Sequence, residues 1–398
     1  MGVASNKPQG GGMNRKLRMG MVGGGPGAFI GDVHRKAACF DGGVELVAGC
    51  FSRSAEKSKE MAAELYLDPA RCYAAYDQMV AAEQKLPEGE RIDFVSIVTP
   101  NDSHFEIAKA FLEAGFDVVL DKPMTFDLDQ AIALREIVRK SGRVFALTHN
   151  YTGFPMVKLA RDLVKQGKLG TVLKIVVQYP QGWLIKPIER EGAKQAEWRT
   201  DPSRSGAAGC MGDIGTHAEN LAEYITGLRI KEICADLGTV IEGRILDDDA
   251  NCLVHYDNGA RGLLFASQIS VGELNGLRIN VYGSEASLYW RQEDPNELHV
   301  YAPDGTICTY RRGTDAIGEL SSAAARATRL PFGHPEAFYE AFANVYKNAT
   351  DTMRARMDGR QPDALERDFP GIEDGVRGMQ FIETVVASKG QWVAFPKA

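Results

Sequence analysis

The stretch from Leu17 to Gly31, LRMGMVGGGPGAFIG, runs an apolar extended segment, Leu17–Val22, straight into a glycine-rich turn. Such a turn lets backbone N–H groups approach a pyrophosphate closely, at the positive N-terminus of the helix that follows. The usual spacing is G-x-G-x-x-G. Gly23 and Gly25 fit its first two positions, but the third falls on Ala28, with Gly31 three residues later. The loop therefore reads as carrying a three-residue insertion. Gly23, Gly25, Gly27, Ala28, Phe29 and Ile30 are the candidate contacts to a dinucleotide.

Downstream, strand-like and helix-like segments alternate. Val44–Phe51, Asp93–Val98, Asp117–Leu120 and Val144–Thr148 read as strands. Ala55–Tyr66, His104–Ala114 and Leu128–Lys140 read as helices between them. That rhythm implies parallel pairing through right-handed crossovers, the shape of a doubly wound nucleotide-binding domain. After about residue 150 it changes. A helix over Met156–Gln166 and a long strand over Thr171–Tyr179 lead to a helix over Ile214–Ile225. Short strands follow at Cys252–Tyr256, Gly262–Ile269, Leu277–Tyr282, Leu288–Arg291 and Leu298–Tyr301, with Asn258-Gly259 as a hairpin signal. This predicts a mostly antiparallel sheet with helices on one face. Helices over Pro335–Asn348 and Ile372–Ser388 close the chain. The expected division is a disordered tail over 1–15, a dinucleotide-binding unit over 16–149 and a substrate-binding α/β unit over 150–398.

The chain has 398 residues, too many for one ordinary core. Its formal charge of −7 argues against a nucleic-acid partner, since nothing gives a large positive field. No apolar run reaches membrane-spanning length. The 7 cysteines are scattered without a C-x-x-C pair, which fits a reducing cytoplasm rather than a disulfide framework.

The end of the second strand chooses between NAD and NADP. It lies about 20 residues past the last glycine and reads Ser52-Arg53-Ser54, with no acid to hold ribose hydroxyls. Arg53 either pairs with a 2′-phosphate or stacks on the adenine and faces solvent, which NAD tolerates. Asp121-Lys122-Pro123 follows the fourth strand directly. Pro123 keeps Lys122 out of helix, so its side chain projects at the carboxyl edge of the sheet, where open α/β folds bind ligands. Asp213 and His217, four apart, share a face if Asp213 is already helical. Alternatively, Thr216 to Glu219 forms a capping box with Asp213 in the entry turn. A metal would need a third ligand, and H-E-x-x-H is absent, so none is expected.

Together these pieces resemble the Gfo/Idh/MocA oxidoreductase family over nearly the whole chain after the tail. The matching marks are the glycine turn ending Gly31-Asp32-Val33-His34, then Thr99-Pro100-Asn101 with His104, and Asp121-Lys122-Pro123, with Asp for the family's Glu. Trp198-Arg199 with Gly209, Asp213 and His217 matches its central block, and Gly371 to Val386 its C-terminal helix. The resemblance implies a Rossmann domain followed by an α/β domain with a large, open, mostly antiparallel sheet that pairs copies into dimers or tetramers. It implies NAD or NADP held by the glycine turn with Ser52, Arg53, Thr99, Asn101, His104, Asp121, Lys122 and Asn150. It also implies reversible oxidation of a secondary alcohol on a sugar, cyclitol or glycoside.

Such chemistry needs acceptors for a hydride and a proton. His217 is the expected general base. Lys122 would stabilise the alkoxide, and Asp213 would hold a neighbouring hydroxyl and favour charged Lys122. Tyr151, Tyr179, Trp183, Trp198 and Arg199 are candidate substrate walls, and Lys186 and Arg190 hint at an anionic substrate. Two rivals are a glycosidase that oxidises its sugar transiently and a non-catalytic dinucleotide or sugar sensor. Relatives of the sensor kind typically lose the Lys and His, which are present here.

Overall fold

The structure, a computed structural model, describes residues 15–396, so the tail over 1–14 lies outside the described residues. Arg15, placed in that tail by the sequence reading, is instead anchored: its two terminal nitrogens meet the Asp93 carboxylate at 2.6 and 2.8 Å.

Strands β1 (Leu17–Gly23), β2 (Val44–Cys50), β3 (Phe94–Val98), β4 (Asp117–Leu120) and β5 (Phe145–Leu147) form a parallel sheet in the order 2-1-3-4-5. Helices α1 (Phe29–Cys39), α2 (Ala55–Glu64), α3 (Tyr76–Glu83), α4 (His104–Glu113) and α5 (Leu128–Ser141) complete this unit. Every residue of β3 and β4 is buried, because helices cover both faces; this is why those strands read as unbroken apolar runs. From β1 the chain first builds outward to β2, then returns to β3 on the other side. The carboxyl ends of β1 and β3 therefore bound a topological switch point, the usual crevice for a ligand in such sheets.

The second unit holds α6 (Pro155–Lys165), β6 (Val172–Pro180), α7 (Lys194–Arg199), α8 (Pro202–Ser205) and α9 (Thr216–Thr226). It continues through β7 (Ile230–Gly238), β8 (Asp249–Tyr256), β9 (Arg261–Ser267), β10 (Arg278–Gly283), β11 (Ser287–Arg291), β12 (Glu297–Tyr301) and β13 (Ile307–Arg311). Helices α10 (Asp315–Leu320), α11 (Ser322–Arg326), α12 (Phe338–Met357) and α13 (Ile372–Ser388) and strand β14 (Trp392–Ala394) end the chain. The sheet has nine strands in the order 13-12-11-10-6-9-8-7-14, antiparallel except for the pair β6 and β9. Asn258-Gly259 forms the β8–β9 turn: Gly259 has φ +89°, and the Asn258 side chain accepts the Ala260 N–H. Alternate residues such as Ile175, Val177, Ala250, Cys252, Leu264 and Ile279 are buried on one face. The opposite face shows Leu253, 52% exposed, with Tyr282 and Trp392. These apolar side chains stand among polar ones on the same face, Glu232, Asp236, Asn251 and His255.

Helix α12 spans the junction between the units. Its Phe342, Tyr346, Ala349 and Met353 join Met19, Met21, Val33, Ala37 and Phe94 in one apolar cluster. On its other side, Asn344 donates to the Gly153 carbonyl at 2.9 Å.

Candidate active site

The glycine turn is built by close approach. Gly23 sits at φ +90°, and a Cβ there would lie 2.8 Å from the Val98 carbonyl oxygen of β3. A Cβ on Gly25 would lie 2.7 Å from the Phe51 carbonyl oxygen, just past β2. A Cβ on Gly31 would lie 2.3 Å from Gly24 Cα. Gly31 thus lets the helix pack on the turn, the task of the third glycine in the ordinary motif, and the insertion leaves Ala28 free to precede the helix. No side chain caps α1 at Ala28, so the first N–H groups of Phe29, Ile30 and Gly31 keep no helical partner. Gly27 faces open space, and Phe29 is exposed.

The other residues assigned to the dinucleotide divide. Arg53 is exposed and makes no ion pair among the described residues, and the Ser52 hydroxyl accepts from Ser54 N at 3.1 Å. The Asn150 side-chain amide nitrogen is buried with no partner among the described residues. Asn101 donates to the Ser205 carbonyl at 3.0 Å, tying the units together. The Thr99 hydroxyl accepts from Ser103 at 2.8 Å. His104 Nδ1 lies 2.8 Å from the Pro123 carbonyl oxygen and Nε2 2.8 Å from that of Thr99. Its polar atoms hold the ends of β3 and β4 in place.

Lys122 projects from the end of β4, as its place after the strand predicts, before a cis peptide to Pro123. Its Nζ donates to Asp213 Oδ1 at 2.8 Å and to the Asp213 carbonyl at 2.5 Å. Arg199 and Gln268 donate to Asp213 Oδ2 at 3.1 and 2.9 Å. Asp213 lies in a π-helical turn, Met211–Gly215, that runs directly into α9. The capping alternative is therefore set aside: the helical ladder has already begun, and the Thr216 hydroxyl donates back to the Gly212 carbonyl at 3.0 Å. Single-turn π bulges of this kind concentrate at functional sites.

These contacts set the protonation states. Burial alone would raise the Asp213 carboxyl, but Arg199, Lys122 and His217 outweigh it and hold it well below the usual range. Burial likewise opposes the lowering of Asp121, which His34, Lys122 and His104 bring about. His217 is driven well below an ordinary histidine by burial first, then by the charge of Lys122 and by His149. It is a neutral base beside an ammonium.

Tyr151 and Tyr179 are buried and share a hydrogen bond between their hydroxyls; the Tyr151 ring meets His217 edge-on at 4.8 Å. Burial pushes Tyr151 up to about 12, so it stays protonated. Asn275 accepts from Tyr179 at 2.7 Å and from Gln181 at 2.8 Å, and Gln181 accepts from Trp183 at 3.0 Å. Trp183 is exposed at the rim, and Trp198 lies 4.2 Å under the Arg199 guanidinium. Arg190 is exposed and donates to the Glu242 carbonyl, and Lys186 is exposed. Among the described residues no group of three His, Cys, Asp or Glu is placed to hold a metal. His149, Gln268, Asn275 and Gln181 escaped the sequence reading. Only His149 carried a signal, its place at the carboxyl end of β5.

A glycine turn with no room for a Cβ at Gly23, Gly25 or Gly31, an uncapped helix N-terminus and an orphaned Asn150 amide together fit a bound dinucleotide. The comparisons agree. The profile described as "Oxidoreductase family, NAD-binding Rossmann fold" matches residues 17–149, and the "GFO/IDH/MocA C-terminal domain" matches 157–289. An uncharacterized oxidoreductase, YfiI of Bacillus subtilis, is 33% identical over 391 residues, covering 96% of this chain and 98% of its own. An inositol dehydrogenase homolog of Azotobacter vinelandii complexed with NAD+ is 35% identical, with a TM-score of 0.91 over 96% of this chain and 98% of that one. Its complex with NADH and myo-inositol gives 34% and 0.88 over 96% and 98%. An oxidoreductase from Sinorhizobium meliloti is 40% identical, with a TM-score of 0.84 over 95% of this chain and 99% of that one.

Proposed function

Because the chain belongs to the Gfo/Idh/MocA family of NAD-binding oxidoreductases, we propose that it oxidises a secondary hydroxyl of a cyclitol, sugar or glycoside, with Lys122, Asp213 and His217 as its catalytic residues. The observation that carries the reading is the convergence of a charged lysine, its carboxylate partner and a neutral buried histidine at the edge of the sheet's switch point. Bound nicotinamide dinucleotide supplies the hydride acceptor. Lys122 carries three N–H donors, and Asp213 takes two of them. The third is free for the substrate oxygen, where it stabilises the developing alkoxide. His217 takes the hydroxyl proton. Lys122 and Arg199 balance Asp213 and Asp121 in charge, which favours an uncharged polyol over an acid or phosphate. The myo-inositol held by the Azotobacter homolog supports a cyclitol. The open outer sheet face supports a homodimer or homotetramer formed through that sheet.

The test is a panel of polyols and glycosides with NAD and with NADP, following reduced cofactor by absorbance and the organic product by mass. Stoichiometric reduction with one polyol is the expected result. Dinucleotide binding without reduction by any polyol would remove the reading. Glycoside cleavage with cofactor required but not consumed would replace it with the redox-neutral alternative.

A further inference from the structure

His149 and His217 meet through like atoms. Their Nδ1 nitrogens lie 3.4 Å apart, with the rings nearly perpendicular at 87° and 5.3 Å between centroids. Both rings are buried, 2% and 7% exposed. A neutral imidazole has one N–H and one lone pair. Two neutral Nδ1 atoms that hydrogen-bond at this distance are one donor and one acceptor, and two such arrangements exist. If His149 donates, the proton of His217 sits on Nε2 and neither of its nitrogens can take another. If His217 donates, its Nε2 carries a free lone pair. Nδ1 is engaged either way, and Nε2 has no hydrogen-bond partner among the described residues.

We propose that His149 is a positioning residue: it accepts the Nδ1 proton of His217 and so fixes the tautomer whose Nε2 can take the substrate's hydroxyl proton. This rests on the reading of His217 as general base. In the step, the substrate O–H bond breaks and an N–H bond forms at Nε2. The hydrogen on carbon leaves as hydride to the dinucleotide. The Nδ1 proton stays in its bond to His149, whose lone pair then faces an imidazolium.

The test uses the full chain labelled with 15N-histidine, whose long-range proton–nitrogen correlations distinguish the two tautomers, together with His149→Asn and His149→Leu. Asparagine keeps an acceptor oxygen near the position of Nδ1; leucine keeps bulk and no acceptor. The expected result is an Nδ1–H tautomer at His217 in the unsubstituted protein and in His149→Asn, with turnover of the latter within about tenfold. His149→Leu loses that tautomer and falls on the order of a hundredfold in kcat, with dinucleotide affinity unchanged. An Nε2–H tautomer at His217 in the unsubstituted protein, or equal turnover of the two variants, overturns the proposal. If the leucine variant does not fold, the spectra of the other two proteins decide. If no polyol is turned over, the functional reading fails while the spectrum still decides the tautomer.

Discussion

Acid should loosen this protein through His149, and His149→Asn should remove part of that sensitivity. Burial first, and the Lys122 charge second, push the His149 imidazole down to about 3 in the folded chain, against about 6.5 when unfolded. Folding therefore favours the neutral ring. The resulting stability is present in full above the unfolded value and is lost as pH falls from there toward the folded value. Between pH 7 and pH 5 the unfolded chain gains about 0.7 of a proton at this site and the folded chain almost none, which costs about 2 kcal/mol. Against the roughly 5–15 kcal/mol that holds a folded protein together, that is a large share. Asparagine does not titrate, and whatever its packing costs is the same at both pH values. Urea unfolding of both proteins at pH 7 and pH 5 isolates the site as a difference of differences. The variant's disadvantage should shrink, or its advantage grow, by about 2 kcal/mol on acidification. An unchanged difference at the two pH values would refute the claim that the fold holds His149 neutral.

Lys122→Met should lower kcat by about 10²–10³, the usual worth of one oxyanion donor. Stability should fall little, because Asp213 keeps Arg199 and Gln268; turnover within threefold would remove Lys122 from the chemistry. Gly31→Ala places a methyl against Gly24 Cα at 2.3 Å and should cost about 1–3 kcal/mol of overpacking. It should be read as weaker dinucleotide binding and a lower Tm, and unchanged binding would show that the turn is not the cradle. Arg53→Ala should move the NADP over NAD preference by about one to two decades if Arg53 meets a 2′-phosphate; an unmoved ratio ends that role. Leu253→Lys on the outer sheet face should convert an oligomer to monomers by light scattering, and an unchanged mass would place any interface elsewhere.

The parallel unit was legible because its buried strands are short apolar runs punctuated by glycine, and β4 matches the expected Asp117–Leu120 throughout. The second sheet was only partly legible. Strand β7, IKEICADLG, alternates buried Ile233 and Ala235 with Glu232 and Asp236 on the open face, which hides its apolar period. Strand β13 at the sheet's edge is mostly exposed and has no apolar face to see. At the site, Lys122 and Asp213 stood out by position. Gln268 and Asn275 sit in irregular connections, where a polar side chain is the ordinary case, and only the fold shows that they point at Asp213 and Tyr179. The π-helical turn escaped because one extra residue per turn leaves no mark in the pattern of apolar positions.

Helix α12 has a consequence for how the chain is made. Tyr346 bonds Ser96 at 2.7 Å across 250 positions and His34 at 2.7 Å across 312. As the polypeptide emerges from the ribosome, the nucleotide-binding half is finished long before the helix that seals its apolar flank. Met21, Val33 and Phe94 must wait for their cover until Phe342, Tyr346 and Met353 are synthesised. Loop closure over such separations is slow. The nucleotide-binding half is thus completed by a helix more than 180 residues beyond it, and truncation before Phe338 would leave it open to aggregation rather than free to act alone.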